Sequence, residues 1–221
     1  WWLGQSGFLL KWGQRFLLMD PYLSDSLTAK YSTTDKPHIR MTALPVDPAR
    51  LDFINVVTSS HNHTDHLDTE SLLPLLEASQ DARLLIPSAN TEFVMERLGL
   101  ATDGSIEGLR AGDSACLGGF ECHAIPAAHE ARELDAHGHD KFLGYVFKFG
   151  DWSVYHSGDT ILFEGLEEAL SAFSLDLALL PVNGRSAGRG VAGNLWGREA
   201  AKLAKDIGAR LVVPCHYDMF S

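Results

Sequence analysis

The sequence predicts an α/β fold in which two β-sheets pack face to face with helices outside, a four-layer αββα sandwich. Three observations lead there. Strand-like apolar stretches open both halves of the 221-residue chain, they then alternate with amphipathic helical stretches, and the same order recurs in residues 1–105 and 106–221.

The stretch GFLLKWGQRFLLMDPYLSD reads as two strands around Gly13, with a proline-containing exit after Asp20. FINVVTSS is a β-branched, nearly continuous apolar run of the kind carried by a strand covered on both faces. TESLLPLLEAS follows as a helix with Asp68 as N-cap, Leu72, Leu75 and Leu76 on one face, and Pro74 tolerable only near its start. RLLIP is a strand, and NTEFVMERLGL a helix with Phe93, Val94 and Leu98 turned inward and Gly99 near its end. Beyond residue 106, FECHAIPAAH, LGYVFKFG and WSVYHSGD read as strands, the last two joined by a tight Gly150-Asp151 turn. FEGLEEALSAF and GREAAKLAKDIG read as helices, with LDLALLPV and RLVVPCH as strands after each. Segments 24–50, 130–141 and 184–193 are long for loops of a compact domain and are expected to be mobile. The expected organisation is one domain over 1–221 with two pseudo-equivalent halves.

Composition narrows the function classes. Forty-five per cent hydrophobic and 21% charged residues make a globular balance, and no apolar run approaches the roughly 20 residues that span a bilayer. A net charge of -11 without clustered Lys and Arg opposes binding to a phosphate backbone, so neither nucleic acid nor a membrane span is expected. A small anionic substrate meeting a few local arginines is compatible with that charge. Cys116, Cys122 and Cys215 are odd in number and lack CxxC spacing, which argues against a disulfide framework and a cysteine-based zinc site. They are expected to be buried small hydrophobes in a cytoplasmic protein. The oligomeric state is not legible.

Chemistry concentrates in TSSHNHTDHLD, residues 58–68, directly behind FINVV. Alternate residues of an extended chain project to one side, so His61 and His63 can reach one metal ion together. Asp65 and His66 fall on the turn into the helix and are better placed for a second ion beside the first. Two divalent ions about 3.5 to 4 Å apart can share a bridging hydroxide and hold both sides of a hydrolytic displacement. Further donors stand at other strand ends: His129 after FECHAIPAA, Asp159 in YHSGDT and His216 in VVPCHYD. Sites in open α/β sheets gather at such carboxyl ends.

The run HNHTDH, then His129, then SGDT with Asp159, then His216 resembles the HxHxDH, His, Asp, His order of the metallo-β-lactamase-fold hydrolases, over essentially the whole chain. WWLGQSGFLL, MDPYLSD, YHSGDT and VVPCHYDMF are further similar to the branch containing L-ascorbate-6-phosphate lactonase and, more distantly, N-acyl-phosphatidylethanolamine phospholipase D. The resemblance implies that His61, His63 and His129 bind one metal ion, Asp65, His66 and His216 the other, with Asp159 bridging them. It implies water with a pKa lowered to about 7 as nucleophile, and Asp65 as the catalytic residue that orients it or accepts its proton. The implied activity is a binuclear hydrolase of a small anionic ester, lactone or phosphoester. A phosphodiesterase or phospholipase D-like hydrolase is the alternative, and a non-hydrolytic redox or sensing module a further one. Imidazole and carboxylate donors without thiolate accept zinc, manganese or iron. The lactonase resemblance points to manganese, the superfamily at large to zinc.

Other residues have two readings. Asp20, before Pro21, either accepts a hydrogen bond from a ligand histidine and fixes its tautomer or forms an Asp-Pro turn. His156, on the strand leading to Asp159, reads as packed behind the ligands. Asn183, Arg185, Arg189 and Tyr217 stand near strand ends, where they could grip a phosphate or polarise a carbonyl. His123 reads as structural and without a partner, His137 and His139 as a solvated loop, and Cys215 as facing away from His216.

Overall fold

In the computed structural model, which describes residues 1–100, 104–186 and 193–221, the apolar runs form two six-stranded sheets. The first contains β1 (Trp2–Gly4), β2 (Gly7–Trp12), β3 (Arg15–Met19), β4 (Val56–Thr58), β5 (Arg83–Pro87) and β6 (Ile106–Leu109), in that spatial order. The second contains β7 (Ser114–Leu117), β8 (Phe120–Pro126), β9 (Leu143–Phe149), β10 (Trp152–His156), β11 (Leu177–Pro181) and β12 (Leu211–Cys215), again side by side in sequence order. Strands β1 to β3 and β7 to β10 are antiparallel neighbours, whereas β3 to β6 and β10 to β12 are parallel. Parallel neighbours need crossovers. These carry the helices: α1 (Ser26–Tyr31), α2 (Thr69–Ala78), α3 (Thr91–Leu98), α4 (Leu166–Leu170) and α5 (Gly197–Asp206).

Side-chain alternation along the strands distributes burial into layers. Leu17 and Met19 of β3, with Val56 and Leu85, face the second sheet and meet Phe120, Cys122, Tyr145, Phe147 and Leu179 there. Leu18, Val57, Leu84 and Ile86 face the other way, onto Leu72 and Leu75 of α2 and Val94 and Leu98 of α3. On the second sheet Val146, Tyr155, Ala178 and Leu180 turn outward against Leu166 and Leu170 of α4 and Leu203 and Ala204 of α5. Each large buried side chain contributes about 1.5–3 kcal/mol relative to exposure. This is the four-layer sandwich that the sequence predicts. No helix among the described residues is long and apolar enough to cross a membrane.

Several elements depart from expectation. Strand β4 covers only part of FINVVTSS; Phe53 is exposed and tilts against Phe16 at 4.6 Å. Edge strands β1, β6 and β7 fall outside the stretches picked out by periodicity. Pro74 lies inside α2 rather than in its first turn, which removes one helix hydrogen bond. Asp68 occupies the N-cap position, but its side chain bonds no helix N–H; its carboxylate accepts from the hydroxyls of Ser71 and, at 2.8 Å, Ser26, tying α1 to α2. Phe93 is exposed, with the Arg97 guanidinium 5.7 Å above its ring, because only Val94 and Leu98 of α3 reach the sheet. Cys116 is exposed rather than buried, since it sits on the solvent side of the β7–β8 hairpin. His123 has a partner after all: the Glu121 carboxylate lies 2.8 Å from Nε2, and Phe173 packs edge-on. Segment 24–50 contains α1 and a 3-10 turn, Pro48–Arg50. It pairs with the carboxyl end where Met41 N–H donates to Met219 and Ser221 N–H to Ile39. Most of segment 184–193 lies outside the described residues.

Candidate metal centre

The carboxyl ends of β3, β4, β8, β10 and β12 meet at one edge of the sandwich, and each delivers a polar side chain as its strand gives way to turn. His61, His63, Asp65 and His66 follow β4; His129 follows β8, Asp159 follows β10 and His216 follows β12. After Ser60 the chain leaves the sheet through bends and turns rather than an extended segment, with His66 and Leu67 N–H groups both donating to the His63 carbonyl. The two leading histidines still converge: their ring centroids are 4.5 Å apart, and His129 stands 5.6 Å from His61 and 4.9 Å from His63.

Donor atoms fall into three overlapping sets, each within 4.8 Å: His61, His63 and His129; His61, His66 and Asp159; Asp65, His66 and His216. Asp159 lies between them. Its Oδ1 is 3.3 Å from His66 Nε2, while its Oδ2 is 3.2 Å from His216 Nε2 and 3.7 Å from His129 Nε2. Asp65 Oδ2 is 3.3 Å from His216 Nε2 and 3.6 Å from His66 Nε2.

A further ring of hydrogen bonds sets the orientation of these groups. His66 Nδ1 donates to Asp20 Oδ2 at 2.7 Å, and Asp20 also accepts from the Thr58 hydroxyl at 2.7 Å, the Ser60 N–H at 3.0 Å and the Ser60 hydroxyl. His129 Nδ1 donates to the Gly193 carbonyl at 2.7 Å. Bonds of this kind choose the tautomer and leave Nε2 free for a metal. Phe142 backs the rings of His61, His63 and His129 at 4.8, 5.8 and 5.7 Å, closing that side with an apolar wall. Gln5 Nε2 donates to Asp65 Oδ2 at 2.8 Å. Gln5, Asp20 and His216 all hold positive φ, 49°, 39° and 61°, a strained backbone that gathers at functional sites.

The electrostatics divide the histidines. Burial, with His66 nearby, holds His61 well below its ordinary pKa, and burial with His129 lowers His63. Burial acts in the same direction on His66 and His216, but Asp159 and Asp65 overcome it; His66 rises well above its usual value and His216 to about 9. Burial opposes ionisation of the two acids, yet His66 and His216 keep Asp65 and Asp159 well below the carboxylate range. Without a cation, the cluster balances its carboxylates by protonating imidazoles; a divalent ion would take the place of those protons.

Within this cluster, His61 Nε2, His66 Nε2 and Asp159 Oδ1 are buried without a hydrogen-bond partner, and the last two face each other without hydrogen-bond geometry. Such atoms are rare in protein interiors. Their nitrogen and carboxylate chemistry, without thiolate, fits zinc, manganese or iron.

The other residues singled out by the sequence serve different ends. His156 is buried on β10; its Nε2 donates to the Ser6 carbonyl at 2.9 Å and its ring packs against Phe8. Arg185 clasps Glu199 at 2.6 and 2.7 Å and the Asn194 carbonyl at 3.0 Å, so its fork is occupied rather than open to an anion. Asn183 bridges to Trp196, and its Oδ1 is buried without a partner. Tyr217 packs at a tilt against Trp2, with ring centroids 4.9 Å apart. Arg189 lies outside the described residues. His137 and His139 donate backbone N–H groups to Asp135 in their loop, and Cys215 points into the core between the sheets. Gln5, Ser60, Phe142 and the Gly193 carbonyl carry no signal of their own in the sequence, although the first two lie within the motif-bearing runs WWLGQSGFLL and TSSHNHTDHLD.

A family model described as a β-lactamase superfamily domain matches residues 15–217. The chain belongs to the metallo-β-lactamase superfamily. It is 28% identical over 224 residues to a "UPF0173 metal-dependent hydrolase" of Methanosarcina mazei, covering 99% of this chain and 83% of that protein. Such relatives support the expectation of a metal-dependent hydrolase. Among solved structures it resembles Igni18, a metallo hydrolase from the hyperthermophilic archaeon Ignicoccus hospitalis, with a TM-score of 0.67 and 20% identity over 99% of this chain and 82% of that one. It also resembles CmlA, a diiron β-hydroxylase from Streptomyces venezuelae, with a TM-score of 0.69 and 17% identity over 99% of this chain and 44% of that one. At these identities the two likenesses concern the fold.

Proposed function

We propose that the chain is a cytoplasmic, binuclear metal-dependent hydrolase of a small anionic ester, lactone or phosphoester. The observation that carries this reading is the position of Asp159, with one carboxylate oxygen toward His66 and the other toward His216 and His129. His61, His63 and His129 would hold one ion, and Asp65, His66 and His216 the other, with Asp159 within reach of both. Zinc or manganese is the proposed metal, with iron compatible. When bound, the ions supply Lewis acidity at an ester-like centre and lower the pKa of water to about 7. The protein's own groups do the remainder. Asp65, ionised by its histidine neighbours, would orient that water or accept its proton; Asp20 and the Gly193 carbonyl orient His66 and His129; Phe142 excludes water behind the rings. The donors come from both halves of the chain, 1–105 and 106–221, which supports treating it as one domain.

A lactone is the leading substrate class, on the strength of the lactonase-like runs WWLGQSGFLL and VVPCHYDMF. Protein loaded with zinc or manganese is expected to open a small anionic lactone faster than it cleaves an activated phosphodiester. The reverse preference supports the phosphodiesterase alternative, and turnover of neither contradicts the hydrolytic reading.

A further inference from the structure

The β1–β2 hairpin brings into this centre a residue that the ligand order does not include. Trp2 pairs with Phe8 and Gly4 with Gly7, which leaves Gln5 and Ser6 as the turn. Two-residue hairpin turns of this kind favour Gly, Asn or Asp where φ is positive, because Gly has no Cβ to meet the backbone and Asn and Asp hydrogen-bond their own main chain. Gln5 nevertheless holds a φ of 49° and is only 4% exposed. Its carbonyl explains part of this, accepting from the Trp2 indole at 3.0 Å and from the His216 backbone N–H at 2.9 Å. Its carboxamide explains the rest: Nε2 lies 2.8 Å from Asp65 Oδ2 and 3.2 Å from His216 Nε2.

We infer that Gln5 is a positioning residue for the second ion site, holding Asp65 through its side chain and His216 through its main chain. The inference rests on the binuclear reading. An amide N–H suits this role because it directs one carboxylate oxygen without adding charge to a group that already balances Asp65 and Asp159 against His66 and His216. It also acts on one site alone. Gln5 has hydrogen bonds to Asp65 and His216, and none to His61, His63 or His129 among the described residues. Hydrogen bonds to ligand residues commonly govern metal affinity by about 10–100-fold.

The test is calorimetric titration of the metal-stripped chain with zinc, comparing wild type with Gln5→Met, which keeps the reach and removes the donor, and with Ser6→Ala in the same turn. Wild type is expected to bind two ions, Gln5→Met to bind one as before and the other about 10–100-fold more weakly, and Ser6→Ala to match wild type. If Gln5→Met does not fold, Gln5→Asn, whose amide falls short of Asp65, gives the same readout. Wild type binding fewer than two ions overturns the binuclear reading itself. Two ions in wild type with unaltered affinities in the variant, or with both sites weakened equally, overturns the role of Gln5 alone.

Discussion

Asp20 and His66 face each other across 2.7 Å at the end of β3, with neither side chain exposed to solvent. Burial opposes ionisation of Asp20, but the hydrogen bond from His66, with His156 nearby, keeps it below the usual carboxylate range. The pair thereby joins a ligand candidate to the strand beside its own. Asp20→Ala strips His66 Nδ1, the Ser60 N–H and the Thr58 hydroxyl of their acceptor together, and is expected to cost about 3–5 kcal/mol in urea unfolding of the metal-free chain. A loss confined to a few tenths of that range would mean that the carboxylate bears little of the local structure.

The pH dependence of the metal-free fold follows from the same cluster. His216 is raised from 6.5 to about 9, so its contribution to stability is fully present below its unfolded value and is lost as pH rises through about 9. Asp65 and Asp159 are lowered, so theirs is present above the ordinary carboxylate range and lost as pH falls below it. The lowered His61 and His63 act the other way, but only as pH passes the ordinary imidazole value, so in chelator the urea midpoint is expected to fall between about pH 8 and about pH 10. A midpoint that rises over that interval contradicts the pairing of His216 with the two acids.

Asp159→Asn preserves shape while removing the charge shared by both groups of donors. Metal content is expected to fall from two ions to one, measured on folded protein, because an amide is a poorer bridge between cations than a carboxylate. Full retention of two ions would assign the bridging role elsewhere.

Packing between the sheets is testable at Phe120, which is fully buried 5.6 Å from Phe149 and 6.5 Å from Trp12. Phe120→Ala is expected to destabilise by about 3–5 kcal/mol in urea. Phe93→Ala, on the exposed face of α3, should stay within about 0.5 kcal/mol. Equal costs at the two positions would contradict the layer assignment.

Much of the architecture is legible in the sequence because two signals coincide. Alternation in RFLLM places Leu17 and Met19 on one face and Leu18 on the other, and the polar clusters follow apolar runs at the sheet's carboxyl edge. The ligand candidates are legible for the same reason, since HNHTDH packs its donors into one turn. What escapes depends on tertiary contact. Gln5 gives no signal until Asp65 is seen beside it, and Arg185 reads as a free cation until Glu199 closes on its guanidinium. Phe93 obeys the helical period yet lies past the edge of the face that α3 buries.

The proposed binding of two cations by these seven side chains is tested most directly by counting metal. Protein purified without chelators and loaded with zinc or manganese is expected to carry two divalent ions per chain by elemental analysis. Fewer than two at full occupancy would contradict the binuclear centre.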